Sequence, residues 1–177
     1  MTALNESVLR RFLELAGERL RGAWVVIGGC VLLIRGIEHR VTVDIDISGP
    51  DSAGMDQTLA LLGIAEDLGL PVEAINQAGA LFLRRIPDWD RNLIEVHRGS
   101  QAALHVPDAT LFLLLKLARL SESDLGDCTA LLRLARKHRE AFDAERVGRA
   151  IRQALQTEIA PGRRQRLDSL LGTVLDS

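Results

Sequence analysis

The chain has 177 residues, 47% hydrophobic and 26% charged, with a formal net charge of −2. This composition fits one globular domain or two small ones, with a core of Leu, Ile, Val and Ala because aromatics are only 3% and Tyr is absent. The longest nearly apolar run, Trp24 to Ile34, is about eleven residues and too short to span a bilayer, which excludes a membrane partner of that kind.

In chain order, residues 5–20 read as an amphipathic helix. Asn5 is its N-cap, Leu4 and Leu9 are spaced for a hydrophobic staple, and Val8, Leu9, Phe12, Leu13, Ala16 and Leu20 line its apolar face. Trp24-Val25-Val26-Ile27 is a short apolar run that suits a strand buried on both faces. Gly28-Gly29 follows at once, and residues 30–36 read as a short helix stopped by Gly36. A strand, a Gly-Gly turn and a helix in that order can hold an anion on backbone amides, since missing side chains let a phosphate come close. Alternatively, the two glycines only permit a tight turn. A dinucleotide fingerprint is disfavoured because GxGxxG is absent.

Residues 40–47 alternate polar and apolar, the period of a half-buried strand. Val41, Val43, Ile45 and Ile47 fall on one face and Arg40, Thr42, Asp44 and Asp46 on the other. Same-face residues lie roughly 6.5–7 Å apart, where two carboxylates repel by about 2 kcal/mol at an effective dielectric near 20. A divalent cation turns that repulsion into attraction; a solvated polar face is the other reading. Residues 48–51 form a turn, and residues 55–68 a helix with Leu59, Leu62 and Ala65 inward. Residues 72–75 and 81–86 are strand candidates, and Pro87 to Asp90 make a turn. In the next strand, Leu93 to His97, Glu95 stands inside an apolar run, which is costly unless the acid is exposed, paired with an arginine or bound to a cation. His97 shares its face in this reading, as a ligand, a base or a partly exposed strand end.

From Pro107, placed at a helix N1 position, the chain reads as helical. Helices are expected over 108–120, over 122–138 behind a Ser121/Asp124 capping box, over 144–156, and over 164–175 after Pro161-Gly162. The shift near 100–106 divides an α+β part, 1–104, from a helical region, 105–177. Residues 133–166 hold ten of the 22 Lys and Arg against four acids, whereas 38–77 hold eight acids and Arg40. Such a surface suits a polyanionic acceptor, though basic residues on solvated helix faces are ordinary. Cys30 and Cys128 lie outside any CxxC pair and read as reduced thiols. With no signal-peptide pattern in the first residues, the location expected is cytoplasmic.

Taken together, Ile27-Gly28-Gly29, the stretch from Arg40 through Thr42, Asp44 and Asp46 to Ile47, and Ile94-Glu95-Val96 resemble the polymerase-β-type nucleotidyltransferases. The likeness is to the minimal bacterial branch that includes AbiEii-type toxins. It covers residues 24–135, with Lys116 to Arg119, Asp124 and Asp127 matching the helical tail of that branch. The resemblance implies a mixed β-sheet flanked by helices, followed by a C-terminal helical region. It implies a nucleoside monophosphate moved from an NTP to a hydroxyl on RNA such as tRNA, or on protein, in a toxin partnered by an antitoxin. Asp44, Asp46 and Glu95 would be the catalytic, Mg²⁺-binding acids, with Glu95 able to deprotonate the acceptor. Gly28, Gly29, Arg40, Thr42 and Lys116 would meet the nucleotide. Many members carry Ser after the first Gly; here the residue is Gly29. The alternative is a non-catalytic protein of the same fold that binds a nucleotide or a protein partner.

Overall fold

A computed structural model of the chain describes residues 4–37 and 41–176. It divides into two compact units, Met1–Pro107 and Asp108–Ser177. The first is α+β and holds a five-stranded mixed sheet; the second is helical. No helix among the described residues is long and apolar enough to cross a membrane.

In the first unit, α1 (Glu6–Arg19) starts where Asn5 accepts the Val8 N–H at 2.9 Å, a cap contributing about 1 kcal/mol. β1 (Gly22–Ile27) runs into α2 (Cys30–Ile34) through Gly28-Gly29. β2 (Ile45–Ser48) returns antiparallel to β1. α3 (Met55–Asp67) and a 3₁₀ turn (Val72–Ala74) lead to β3 (Ile75–Asn76), parallel to β2. α4 (Ala80–Arg84) and a second 3₁₀ turn (Trp89–Asn92) precede the hairpin of β4 (Leu93–Arg98) and β5 (Ala102–Pro107). β5 lies parallel to β1, so the sheet order is β3-β2-β1-β5-β4. α1 approaches the hairpin closely: a Cβ at Gly17 would sit 2.8 Å from His97 Cδ2 and 2.9 Å from Gly99 Cα.

Several elements differ from the sequence reading. The alternating stretch forms a strand only over Ile45–Ser48; Arg40 lies outside the described residues. Val41 is 69% exposed and Thr42 buried, because residues 41–44 lie outside the ladder and the Thr42 carbonyl instead accepts the Leu4 N–H at 2.9 Å. Residues 81–86 are not a strand. Their first part belongs to α4, where Leu83 alone is buried, so tertiary anchoring of one side chain outweighed the strand-like composition. On α3 the inward stripe is Gln57, Leu61, Ile64 and Ala65, whereas Leu59 and Leu62 are exposed; a helix apolar on several sides does not declare its buried face. Pro107 ends β5 rather than opening a helix, and β5 fills the stretch taken as a boundary. A bulge between Glu95 and His97 pairs Glu95 with His105 but His97 with Leu104, so the two side chains lie on opposite faces.

The second unit contains α5 (Ala109–Leu117), α6 (Glu122–His138), α7 (Ala144–Thr157) and α8 (Pro161–Leu175). Asp108 caps α5 by accepting the Leu111 N–H, and Ser121 with Asp124 closes a full capping box on α6. Pro161 begins α8 rather than interrupting the chain. Arg163 donates to the Leu117 carbonyl at 2.7 Å and Arg166 to that of Leu120 at 2.7 Å, satisfying acceptors at the end of α5. Arg136 donates to the Thr173 carbonyl and Arg164 to that of Leu155 at 3.1 Å, so four of the ten basic residues tie helix to helix.

Candidate active site

Asp46 lies at the centre of the sheet edge that the two glycines open. It pairs with Ile27 on β1 and with Asn76 on β3. Gly28, the next residue after Ile27, has φ +79, a conformation glycine adopts without penalty. A Cβ there would overlap Asp46 Oδ2 and come within 3.3 Å of its Cγ. The missing side chain thus leaves the Asp46 carboxylate against the turn backbone. Gly29 has ordinary helical dihedrals (φ −70, ψ −29) and caps α2, its carbonyl accepting the Leu32 N–H at 3.2 Å. Gly79, at the start of α4, closes the other side: its Cβ would lie 3.8 Å from Asp46 Cβ and would strike Ile27. Asp44 precedes β2 and is exposed, while Asp46 is half-buried.

Glu95 is elsewhere on the sheet. It pairs with His105, which pairs with Val25, two residues before Ile27. Residues two apart on a strand share a face, so Glu95 faces the same side as Asp46. However, β1 and β5 stand between them, three strand spacings or roughly 14 Å. Glu95 is exposed and accepts two hydrogen bonds from Arg98, one of 3.0 Å from Nε, and His105 Nε2 lies 3.8 Å from its Oε2. The Arg98 guanidinium holds its carboxyl below the usual carboxylate range.

Lys116 belongs to the helical unit. Its Nζ donates to Asp124 Oδ1 at 2.8 Å and to Asp127 Oδ2 at 3.0 Å, and it stands 5.4 Å from the centroid of the Phe112 ring. Arg119 adds two 2.8 Å hydrogen bonds to Asp124, and Ser121 Oγ donates to it as well. Both aspartates are fully buried. Burial by itself would raise the Asp124 carboxyl, but the hydrogen bonds from Arg119, Lys116 and Ser121 together outweigh it and hold the group well below the usual carboxylate range. Thr42, buried, lies two residues before Asp44.

The chain matches over residues 6–140, more than half its length, the model of a family described as "Nucleotidyltransferase of unknown function (DUF6036)". It belongs to this family. No curated protein and no solved structure matches it. In this family member the matched region spans the Gly28-Gly29 turn, the Asp44/Asp46 pair and the Lys116–Asp124–Asp127 cluster. The residues that sequence reasoning missed are Asn76 and Gly79. The glycine before Ala80-Leu81-Phe82-Leu83-Arg84, a run that forms one helical turn, was the signal available for the second.

Whether a divalent cation fits can be tested on the donor set. Mg²⁺ is bound by one or two carboxylates, with waters and substrate phosphates completing six oxygens. Asp44 and Asp46 supply two hard oxygen donors, and the space that a Gly28 Cβ would fill adjoins one of them. The pair fits that mode. Among the described residues no group of three or more His, Cys, Asp or Glu gathers into a metal site.

Proposed function

We propose that this protein transfers a nucleoside monophosphate from an NTP to a hydroxyl acceptor at Asp44, Asp46 and the Gly28-Gly29 turn. The observation that carries the reading is the contact of Gly28 with Asp46, which sets a backbone able to meet phosphate beside a carboxylate able to meet a cation. In the transfer, the acceptor oxygen bonds to the α-phosphorus, the bond to the bridging oxygen of the β-phosphate breaks, and pyrophosphate leaves while the hydroxyl proton passes to solvent. A bound Mg²⁺ would neutralise the phosphate oxygens and align attack. Asp46, pinned between Gly28 and Gly79, keeps its carboxylate oriented, and exposed Asp44 completes the pair. The amides of the turn hold phosphate oxygens.

Glu95 is left out of the metal site in this proposal, because two strands intervene and Arg98 occupies its carboxylate. Lys116 is assigned to the buried cluster of its own unit, since two carboxylates already take two of its three N–H donors. Exposed Arg133, Lys137, Arg139 and Arg152 offer a surface for an RNA acceptor such as tRNA. The likeness of the spacing from Thr42 to Asp46, and of the helical tail, to AbiEii-type toxins supports a cytoplasmic toxin restrained by an antitoxin protein. The second reading, a non-catalytic member that binds a nucleotide or a partner, is favoured by the lack of a third acid beside Asp46 among the described residues.

The test is incubation with each labelled NTP, Mg²⁺ and bulk tRNA. Label entering RNA, or the protein itself, supports transfer. Binding of NTP with no labelled macromolecule supports the second reading.

A further inference from the structure

The chain has few aromatics, and Phe12, Phe112 and Trp24 are spent on the cores. Phe82, by contrast, is 52% exposed, and its neighbour Leu81 is 69% exposed. Both stand on α4, the single turn of helix that begins at Gly79 against Asp46 and Ile27. The Phe82 N–H donates to the Gly79 carbonyl at 3.1 Å, which places Phe82 one turn above Gly79. Residues three apart share a helix face, and helical Cα–Cβ bonds tilt toward the N-terminus. Phe82 therefore stands one turn along α4 from the end that abuts Asp46.

The helix carrying the ring is anchored. Leu83 is fully buried, and Arg84 ties the C-terminal end to the β2–α3 turn through the Gly49 carbonyl at 3.2 Å and Asp51 at 2.7 Å. The Arg85 guanidinium lies 5.8 Å from the Phe82 ring centroid and covers one side of the ring. Two side chains are too small for a protein partner, which needs roughly 800 Å² on each side. A flat aromatic face matches a flat nucleobase, and such stacking tolerates any base.

We infer that Phe82 is the stacking platform for the base of the nucleoside triphosphate, with Leu81 as its apolar margin, one helical turn from Gly79, which abuts the Asp46 carboxylate assigned to the cation. This inference rests on the nucleotidyltransferase reading above and adds to it the residue that holds the base.

The experiment compares binding of ATP, CTP, GTP and UTP with binding of inorganic tripolyphosphate, all with Mg²⁺, to the full chain and to Phe82→Ala and Phe82→Trp. Phe82→Ala should weaken nucleotide binding roughly tenfold and leave tripolyphosphate binding within about twofold. Phe82→Trp should keep nucleotide affinity, with extra emission relative to wild type that nucleotide quenches and tripolyphosphate does not. Equal nucleotide affinity in wild type and Phe82→Ala overturns the stacking role alone. So does a parallel loss of nucleotide and tripolyphosphate binding, which would mean that the ring acts through the fold. Wild-type protein that binds neither ligand overturns the nucleotide reading and this inference with it.

Discussion

Gly28 and Asp46 compete for one volume: a methyl group on the glycine would overlap the aspartate Oδ2. The backbone turn after β1 and the carboxylate on β2 can therefore meet only while position 28 lacks a side chain. Gly36 provides the control. It has a similar φ of +74, but a Cβ there would meet nothing within 4 Å. Gly36→Ala should cost about 1–2 kcal/mol, the strain of a left-handed alanine. Gly28→Ala carries the same strain and also displaces Asp46, so it should abolish the rise in melting temperature caused by Mg²⁺ with NTP. Melting curves of the two variants with and without these ligands decide the point; equal ligand-induced shifts would remove the Gly28 contact from the site.

Asp44→Asn keeps the shape of the side chain and removes a charged oxygen donor. Transfer and Mg²⁺ binding should fall together, with a rate loss on the order of a hundredfold or more. Without ligands the melting temperature should stay the same or rise, because the variant has one carboxylate fewer beside Asp46. Wild-type and Asp44→Asn proteins that respond identically to Mg²⁺ and NTP would refute the metal role of Asp44.

Glu95→Gln separates Asp44 and Asp46 from the acid on β4. With two strands between them, the variant should retain the full Mg²⁺-dependent shift. It should lose the ion pair with Arg98, an exposed interaction of small effect. A metal affinity reduced tenfold or more in Glu95→Gln would show that Glu95 reaches the cation.

The buried cluster of the helical unit should behave as a stability element. Lys116→Met leaves Asp124 and Asp127 buried without their shared cation, a change that costs about 3–5 kcal/mol in comparable pairs. Urea denaturation measures it directly. If Lys116→Met is as stable as wild type but binds NTP more weakly, Lys116 acts on phosphate rather than on the fold.

The same cluster sets a pH dependence. The Asp124 carboxyl is held below its unfolded value by hydrogen bonds that outweigh burial. Its contribution is therefore complete at neutral pH. It begins to be lost below about pH 4, where the unfolded chain takes up the proton first, and declines further toward the depressed folded value. Asp124→Asn should be destabilised at pH 7, and its gap to wild type should narrow at pH 3.5. A gap that stays constant between those two pH values would contradict the linkage.

Much of the local structure was legible because short-range patterns encode it. Asn5, Ser121 and Asp124 announced their caps through short-range hydrogen bonds that depend on spacing of three residues. The Gly-Gly turn after an apolar run and the two aspartates on alternate positions were equally local signals. The same sequence left α4 open to a strand reading, since Leu81 to Ile86 carries apolar residues without enough length to show a helical period. β5, with His105 and Pro107 at its end, was hidden by its nearness to the helical region.

By itself the sequence determined the element types wherever periodicity ran for several turns, and the caps at Asn5 and Ser121. Only the tertiary structure decided which elements became neighbours. Strand order set Asp46 against Gly28 and Asn76, and it left Glu95 beyond β1 and β5. A single bulge turned His97 away from Glu95, and packing chose Leu61 and Ile64 over Leu59 and Leu62 as the buried stripe of α3. The reason is physical. Side-chain periodicity is a property of one segment, whereas pairing, register and burial are settled by contacts between segments far apart in the chain, and no single segment records its partner.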